Sequence, residues 1–218
     1  MSREAILGRV RAALSADRSA ESSPLLSYPR TGTLNTEERL QMLEERLHEY
    51  DARVFHCPEQ ALAQRIFEVL SAAGRLRIIH PAALPTSWHA AQLDWTPDSP
   101  GLSYAEIEAF DGVLTGATAA VTESGSIVLQ HGPAEGRRAL TLLPDYHLCV
   151  IFENQIVETL PECFDRLKAN AAAPTTFISG PSATADIEMT RIKGVHGPRF
   201  LDVILVTRPS NFPKLTFQ

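Results

Sequence analysis

Two runs constrain the fold most tightly: His147–Phe152 (HLCVIF) and Phe200–Val206 (FLDVILV). The first is almost wholly apolar, the pattern of a central strand buried on both faces and therefore of a parallel sheet. Parallel strands need helical crossovers, and the chain supplies them. Ala52–His56 (ARVFH) reads as a short strand, and Pro58 suits the first turn of a helix carrying Leu62, Ile66, Val69 and Leu70. Gly74 ends that helix, and Leu76–Ile79 is the next strand. This β-α-β unit favours right-handed crossovers.

The alternation continues. Gly112–Thr115 and Ser126–Leu129 read as strands around a Gly- and Thr-rich turn, and Ala134–Leu143 as a helix stopped by Pro144. Thr159–Asn170 is the next helix and Thr175–Ile178 the next strand. Residues 81–103 hold Trp88, Trp95 and four prolines, and read as irregular. Tyr104–Phe110 reads as a short helix. The expected class is α/β, with a mainly parallel sheet, helices on both faces and an N-terminal helical arm.

The arm begins with Ser2 as a helix cap and Ile6, Val10 and Leu14 at intervals of four. Residues 1–35 read as this helix and a surface strap, and residues 36–218 as the α/β domain. The helix is expected to pack on its own domain. Asn35 and Glu38 form a capping box, followed by Leu40, Leu43 and Leu47 on one helical face.

A net charge of −6 with no Lys/Arg stripe argues against nucleic-acid binding. The three cysteines, Cys57, Cys149 and Cys163, form no C-x-x-C pair, which argues against a cluster or zinc site in this chain. The seven histidines show no H-E-x-x-H spacing, so no metal site is expected, and the glycines match neither the P-loop nor the dinucleotide pattern. The N-terminus has too little continuous apolar length for a signal peptide, and no stretch approaches a membrane span. Cytoplasmic localisation is the expectation.

Chemistry-bearing residues gather in two stretches. Ile178–Arg199 (ISGPSATADIEMTRIKGVHGPR) lies between apolar runs. Its Gly180 permits positive φ, Pro181 stiffens the turn, and Ser182 is placed to cap a helix through Asp186 and Glu188. Free N–H groups at such a helix start suit an anion. Arg199 can grip a carboxylate in two hydrogen bonds and His196 can move a proton, or Arg199 can pair with Asp202 or Asp186. The second stretch is Thr122-Glu123-Ser124-Gly125. His131 sits in a turn, and His147 reads as a core histidine. The turns at 115–125, 131–133 and 179–199 are expected to converge at the carboxyl ends of the strands. The expected binding set for a small carboxylate or other anion is Thr122, Ser124, Gly125, Ser179, Gly180, Ser182, Asp186, His196 and Arg199.

Four blocks carry a resemblance: Ala117–Ser126 (ATAAVTESGS), Leu142–His147 (LLPDYH), Ser179–Met189 (SGPSATADIEM) and Gly194–Arg199 (GVHGPR). Over residues from about 112 to 206 the chain resembles the LUD-domain family. The resemblance implies a NagB/RpiA/CoA-transferase-like fold. It also implies a place in L-lactate oxidation to pyruvate beside two companion proteins that carry iron–sulfur clusters, with no cofactor in this chain. Thr118 stands where that family often has Asp. Glu123 is reminiscent of the catalytic carboxylate of CoA transferases, which attacks an acyl thioester; alternatively it orders its own turn by accepting backbone N–H bonds. Three functions follow: a component of the lactate-oxidising system, a free-standing CoA-transferase-like enzyme using Glu123, or a small-anion-binding module without catalysis.

Overall fold

A computed structural model describes residues 3–16, 29–185, 191–193 and 197–207. The helices are α1 (Arg3–Ala16), α2 (Thr36–Glu49), α3 (Leu62–Ala72), α4 (Tyr104–Glu108) and α5 (Leu160–Leu167). The first six strands are β1 (Arg53–Pro58), β2 (Arg77–His80), β3 (Asp94–Pro97), β4 (Gly112–Thr115), β5 (Ala119–Val121) and β6 (Ser126–Leu129). The remainder are β7 (Tyr146–Phe152), β8 (Ile156–Val157), β9 (Thr176–Ile178), β10 (Ala183–Ala185), β11 (Arg191–Lys193) and β12 (Phe200–Thr207).

The two apolar runs become β7 and β12, neighbours inside a six-stranded sheet of order β1-β12-β7-β4-β2-β3. Every pairing in it is parallel. Successive residues of a strand face opposite sides. Leu148, Val150, Ile204 and Val206 therefore meet Leu62, Ile66, Val69 and Leu70 of α3 on one side. Cys149, Ile151, Leu201, Val203 and Leu205 face the other side, where Leu43 and Leu47 of α2 meet them.

That second side holds more than a helix. A four-stranded sheet of order β8-β5-β6-β9 lies there, presenting Ala120, Ile127 and Leu129 to the central sheet. Its outer face, with Ala119, Val121 and Val128, is covered by Cys163 and Leu167 of α5. Strands of two to four residues are too short to show a period-two pattern, which is why β5 and β8 are invisible in the sequence.

Other elements differ from expectation for local reasons. Ala134–Leu143 is not an α-helix but turns around a short 3₁₀ segment, Arg138–Thr141, because Gly136 adopts φ +67°. Ser182 opens no helix; its N–H bonds Pro198 O at 2.8 Å, and the next residues form the β10–β11 hairpin. Residues 81–103 include β3 at the sheet edge, where proline is tolerated. There Trp95 stacks on His89 with ring centroids 4.7 Å apart.

The capping box at Asn35/Glu38 forms as read, and Thr159/Glu162 forms a second one at the start of α5. The strap lies along the edge of α5: Gly32 N–H bonds Glu162 Oε1 at 3.1 Å, and Arg30 pairs with Asp165. On α1, Ile6, Leu7, Val10 and Leu14 are all exposed, so the arm does not bury its apolar stripe on this domain. Ser2 lies outside the described residues.

Candidate functional site

The Thr122–Gly125 turn is built against α2. Thr122 is buried, its N–H bonds Val157 O, and Gly125 N–H closes the turn on Thr122 O at 3.3 Å. Gly125 sits at φ +59°, and a Cβ there would stand 2.7 Å from Arg46 Cβ. Glu123 is exposed at the tip, with its N–H on Glu158 O at 3.1 Å. From this turn a chain of hydroxyls leads inward, Ser124 Oγ to Ser126 Oγ at 2.9 Å and on to Ser179 Oγ at 2.8 Å. The antiparallel β6/β9 register, Ile127 opposite Ile178, places Ser126 and Ser179 side by side.

Gly180 follows at φ +88°, where a Cβ would lie 2.5 Å from Tyr50 Cβ and 2.9 Å from Tyr50 O. Glycine is required on both counts. Gly180→Ala is expected to cost about 1–3 kcal/mol in urea unfolding. Gly132→Ala, where nothing lies within 4 Å, should leave the midpoint in place; equal costs for the two would show that packing on α2 does not hold the loop.

Beside this loop is a cavity of about 230 Å³, lined by Ile178–Ser182 together with Arg138, Thr141, His147, Phe177, Gly197, Pro198 and Leu201. Its volume is that of about seven or eight water molecules, which suits a ligand of a few heavy atoms. His147 and Leu201 are the second residues of β7 and β12 and stand opposite each other in the sheet. The cavity thus opens at the amino ends of the parallel strands, contrary to the carboxyl-end expectation.

Three side chains give it chemical character. His147 is 1% exposed. Burial first, and then the nearby Arg138 charge, hold its imidazole neutral, with a pKa lowered to about 3. Its Nε2 and the Thr115 hydroxyl lie 2.8 Å apart. Arg138 reaches solvent at the mouth, yet burial of its guanidinium pushes its pKa below the usual value. Arg138 Nη1 donates to Thr141 O and Thr141 Oγ1, both at 3.0 Å. These bonds hold the guanidinium plane in place, and among the described residues no carboxylate pairs with it.

Of the expected binding set, Ser179, Gly180 and Ser182 line this cavity. Ser124 joins it only through the hydroxyl chain, and Thr122, Glu123 and Gly125 are not among its walls. Arg199 grips Asp145 in two bonds of 2.6 and 2.7 Å, a partner other than the two acids weighed from the sequence. Asp186 and His196 lie outside the described residues. His131 stands at the far end of the small sheet, Nε2 2.8 Å from Thr176 Oγ1, so the three turns do not converge. Thr118 donates to the buried Glu135 carboxylate, which also accepts the Gln130 N–H. Sequence reasoning passed over Arg138 and Thr141 because they lie in a segment read as an ordinary helix. The sequence carried no signal for Arg138, because Glu135 stands three residues before it and would pair with it on a helix.

The LUD domain pattern matches residues 40–206, from within α2 to the end of β12. The chain belongs to the LUD domain family. The LUD match takes in every residue lining the cavity and leaves out α1 and the strap. Lactate utilization protein C of Deinococcus radiodurans is 42% identical over 181 residues, covering 82% of this chain and 84% of that protein. Lactate utilization protein C of Bacillus subtilis is 31% identical over 120 residues, 52% of this chain and 50% of the relative. A crystal structure of a DUF162 family protein from D. radiodurans superposes with a TM-score of 0.71 at 39% identity, covering 80% of this chain and 99% of that one.

Proposed function

We propose that this LUD protein is a component of a lactate-utilisation system that oxidises L-lactate to pyruvate, acting with iron–sulfur partner proteins. The observation that carries this reading is the 42% identity to a lactate utilization protein C across most of both chains. The cavity supports it chemically, because its size and Arg138, which no carboxylate pairs with among the described residues, suit a short carboxylate. Partners are needed for the electrons. Cys57, Cys149 and Cys163 are buried in three different apolar clusters, so they cannot share one metal centre, and among the described residues no three His, Cys, Asp or Glu gather. Among the described residues no helix is long and apolar enough to cross a membrane.

The test is growth on L-lactate as sole carbon source. A deletion strain should fail on lactate, grow on pyruvate, and recover with the plasmid-borne wild type. Normal growth of the deletion on lactate, with no second copy present, would overturn the reading. Glu123→Gln should complement fully at normal abundance. Failure of that variant would instead favour the CoA-transferase-like enzyme.

A further inference from the structure

We infer that the amino-edge cavity is a binding site for a short 2-hydroxy or 2-oxo monocarboxylate, with Arg138 holding the carboxylate and His147 facing the C2 oxygen. This rests on the lactate-utilisation reading for the ligand's class, but the site itself follows from the geometry.

Arg138 stands at the mouth of the cavity with its guanidinium partly covered, and among the described residues no carboxylate pairs with it, so an arriving anion finds a free charge-assisted partner there. Thr141 occupies Nη1 through its carbonyl and hydroxyl oxygens, so the guanidinium plane is held and the remaining edge of the fork is presented with little entropy to lose. Two parallel N–H donors match a carboxylate in geometry as well as charge.

The second observation is His147. Its ring is 1% exposed, lines the same cavity, and has one nitrogen engaged by Thr115. A neutral imidazole can donate to or accept from an oxygen without bringing a charge. It therefore suits the uncharged hydroxyl or carbonyl oxygen next to a carboxylate better than a second anionic group. Leu201, Phe177 and Pro198 supply apolar wall for a short alkyl group. With about 230 Å³ of room, the site admits an acid of three or four carbons.

The neighbouring Arg199 offers a built-in control. It is also an arginine at this edge, but Asp145 already takes both arms of its fork. Of these two arginines, Arg138 is the one that no carboxylate pairs with among the described residues.

Calorimetric titration of the purified full-length chain with L-lactate, pyruvate, acetate and inorganic phosphate tests the assignment. Saturable binding of lactate or pyruvate is expected, tighter than acetate because acetate has no C2 oxygen for His147. Arg138→Gln should weaken it at least about tenfold, with an unchanged circular dichroism spectrum and melting temperature. Arg199→Gln should leave it within about twofold. Absence of binding by the wild type would overturn the assignment, as would phosphate bound more tightly than either acid, or Arg138→Gln binding as the wild type does. These outcomes are independent of the growth test. A deletion that fails on lactate while the pure chain binds no carboxylate would leave the system-level reading standing and remove this one.

Discussion

Arg53→Met is expected to destabilise the protein by about 3 kcal/mol at neutral pH, more than Asp202→Asn at the other end of the same ion pair. The two residues are register partners in β1 and β12. Arg53 donates from Nε to Asp202 Oδ1 at 2.8 Å and from Nη2 to Oδ2 at 2.5 Å, and the Tyr146 hydroxyl also donates to Asp202. The partners differ sharply in burial: the Arg53 side chain is 57% exposed and that of Asp202 only 2%. Removing the arginine strands a carboxylate inside the protein with one neutral donor. Removing the acid's charge leaves Arg53 free to turn to water and keeps an oxygen for Tyr146, a loss of about 1–2 kcal/mol. Urea unfolding of both single variants at pH 7 reads the difference directly. Equal costs would mean that burial of the Asp202 charge is not what makes Arg53 necessary.

The same strand start shows how much of the architecture could be read from residues alone. Tyr146 and His147 are adjacent, and strand alternation sends one to the α3 side and the other into the cavity. The sequence shows HLCVIF as a buried strand, because six apolar or near-apolar residues in a row have few other solutions. The crossover from β1 through α3 to β2 was legible for a like reason: Pro58, four apolar residues at helical spacing and Gly74 all point to one structure. The second sheet was not legible. β8 is held by pairing to β5, and β5 in turn to β6, and that is non-local information. The hairpin after Ser182 was mistaken for a helix because Ser followed by acids is a capping signal. Here a single long-range bond to Pro198 O overrides it. For the site, the Ser-Gly-Pro-Ser loop was visible because turn residues at fixed offsets announce themselves. Arg138 was not, since an arginine is informative only once its lack of an acidic partner in three dimensions is known.

Stability should fall as the pH drops from about 6.5 toward 3, and His147 should account for up to about one proton of that slope. The imidazole is held neutral in the fold, with a pKa lowered to about 3, chiefly by burial and then by the Arg138 charge. In the unfolded chain it titrates near its ordinary value, about 6.5. Between those values the unfolded state takes up a proton that the folded state refuses, so the stability His147 permits above pH 6.5 is lost as pH falls. The slope approaches ~1.4 kcal/mol per pH unit inside the window. Carboxylates such as Asp145, whose pKa is lowered by the Arg199 hydrogen bonds, add to the acid limb. So do His80 and His89, both depressed first by burial. A comparison with His147→Gln cancels these shared contributions, and glutamine can still bond Thr115. Unfolding free energies measured from pH 4.5 to 6.5 should therefore converge toward the acid end, with the wild type losing more per unit than the variant. Parallel curves would mean that the ring is not held neutral in the fold. Adding L-lactate at saturating concentration should flatten the wild-type curve and leave that of Arg138→Gln unchanged, because a carboxylate seated on Arg138 removes part of the positive potential that keeps His147 from taking its proton.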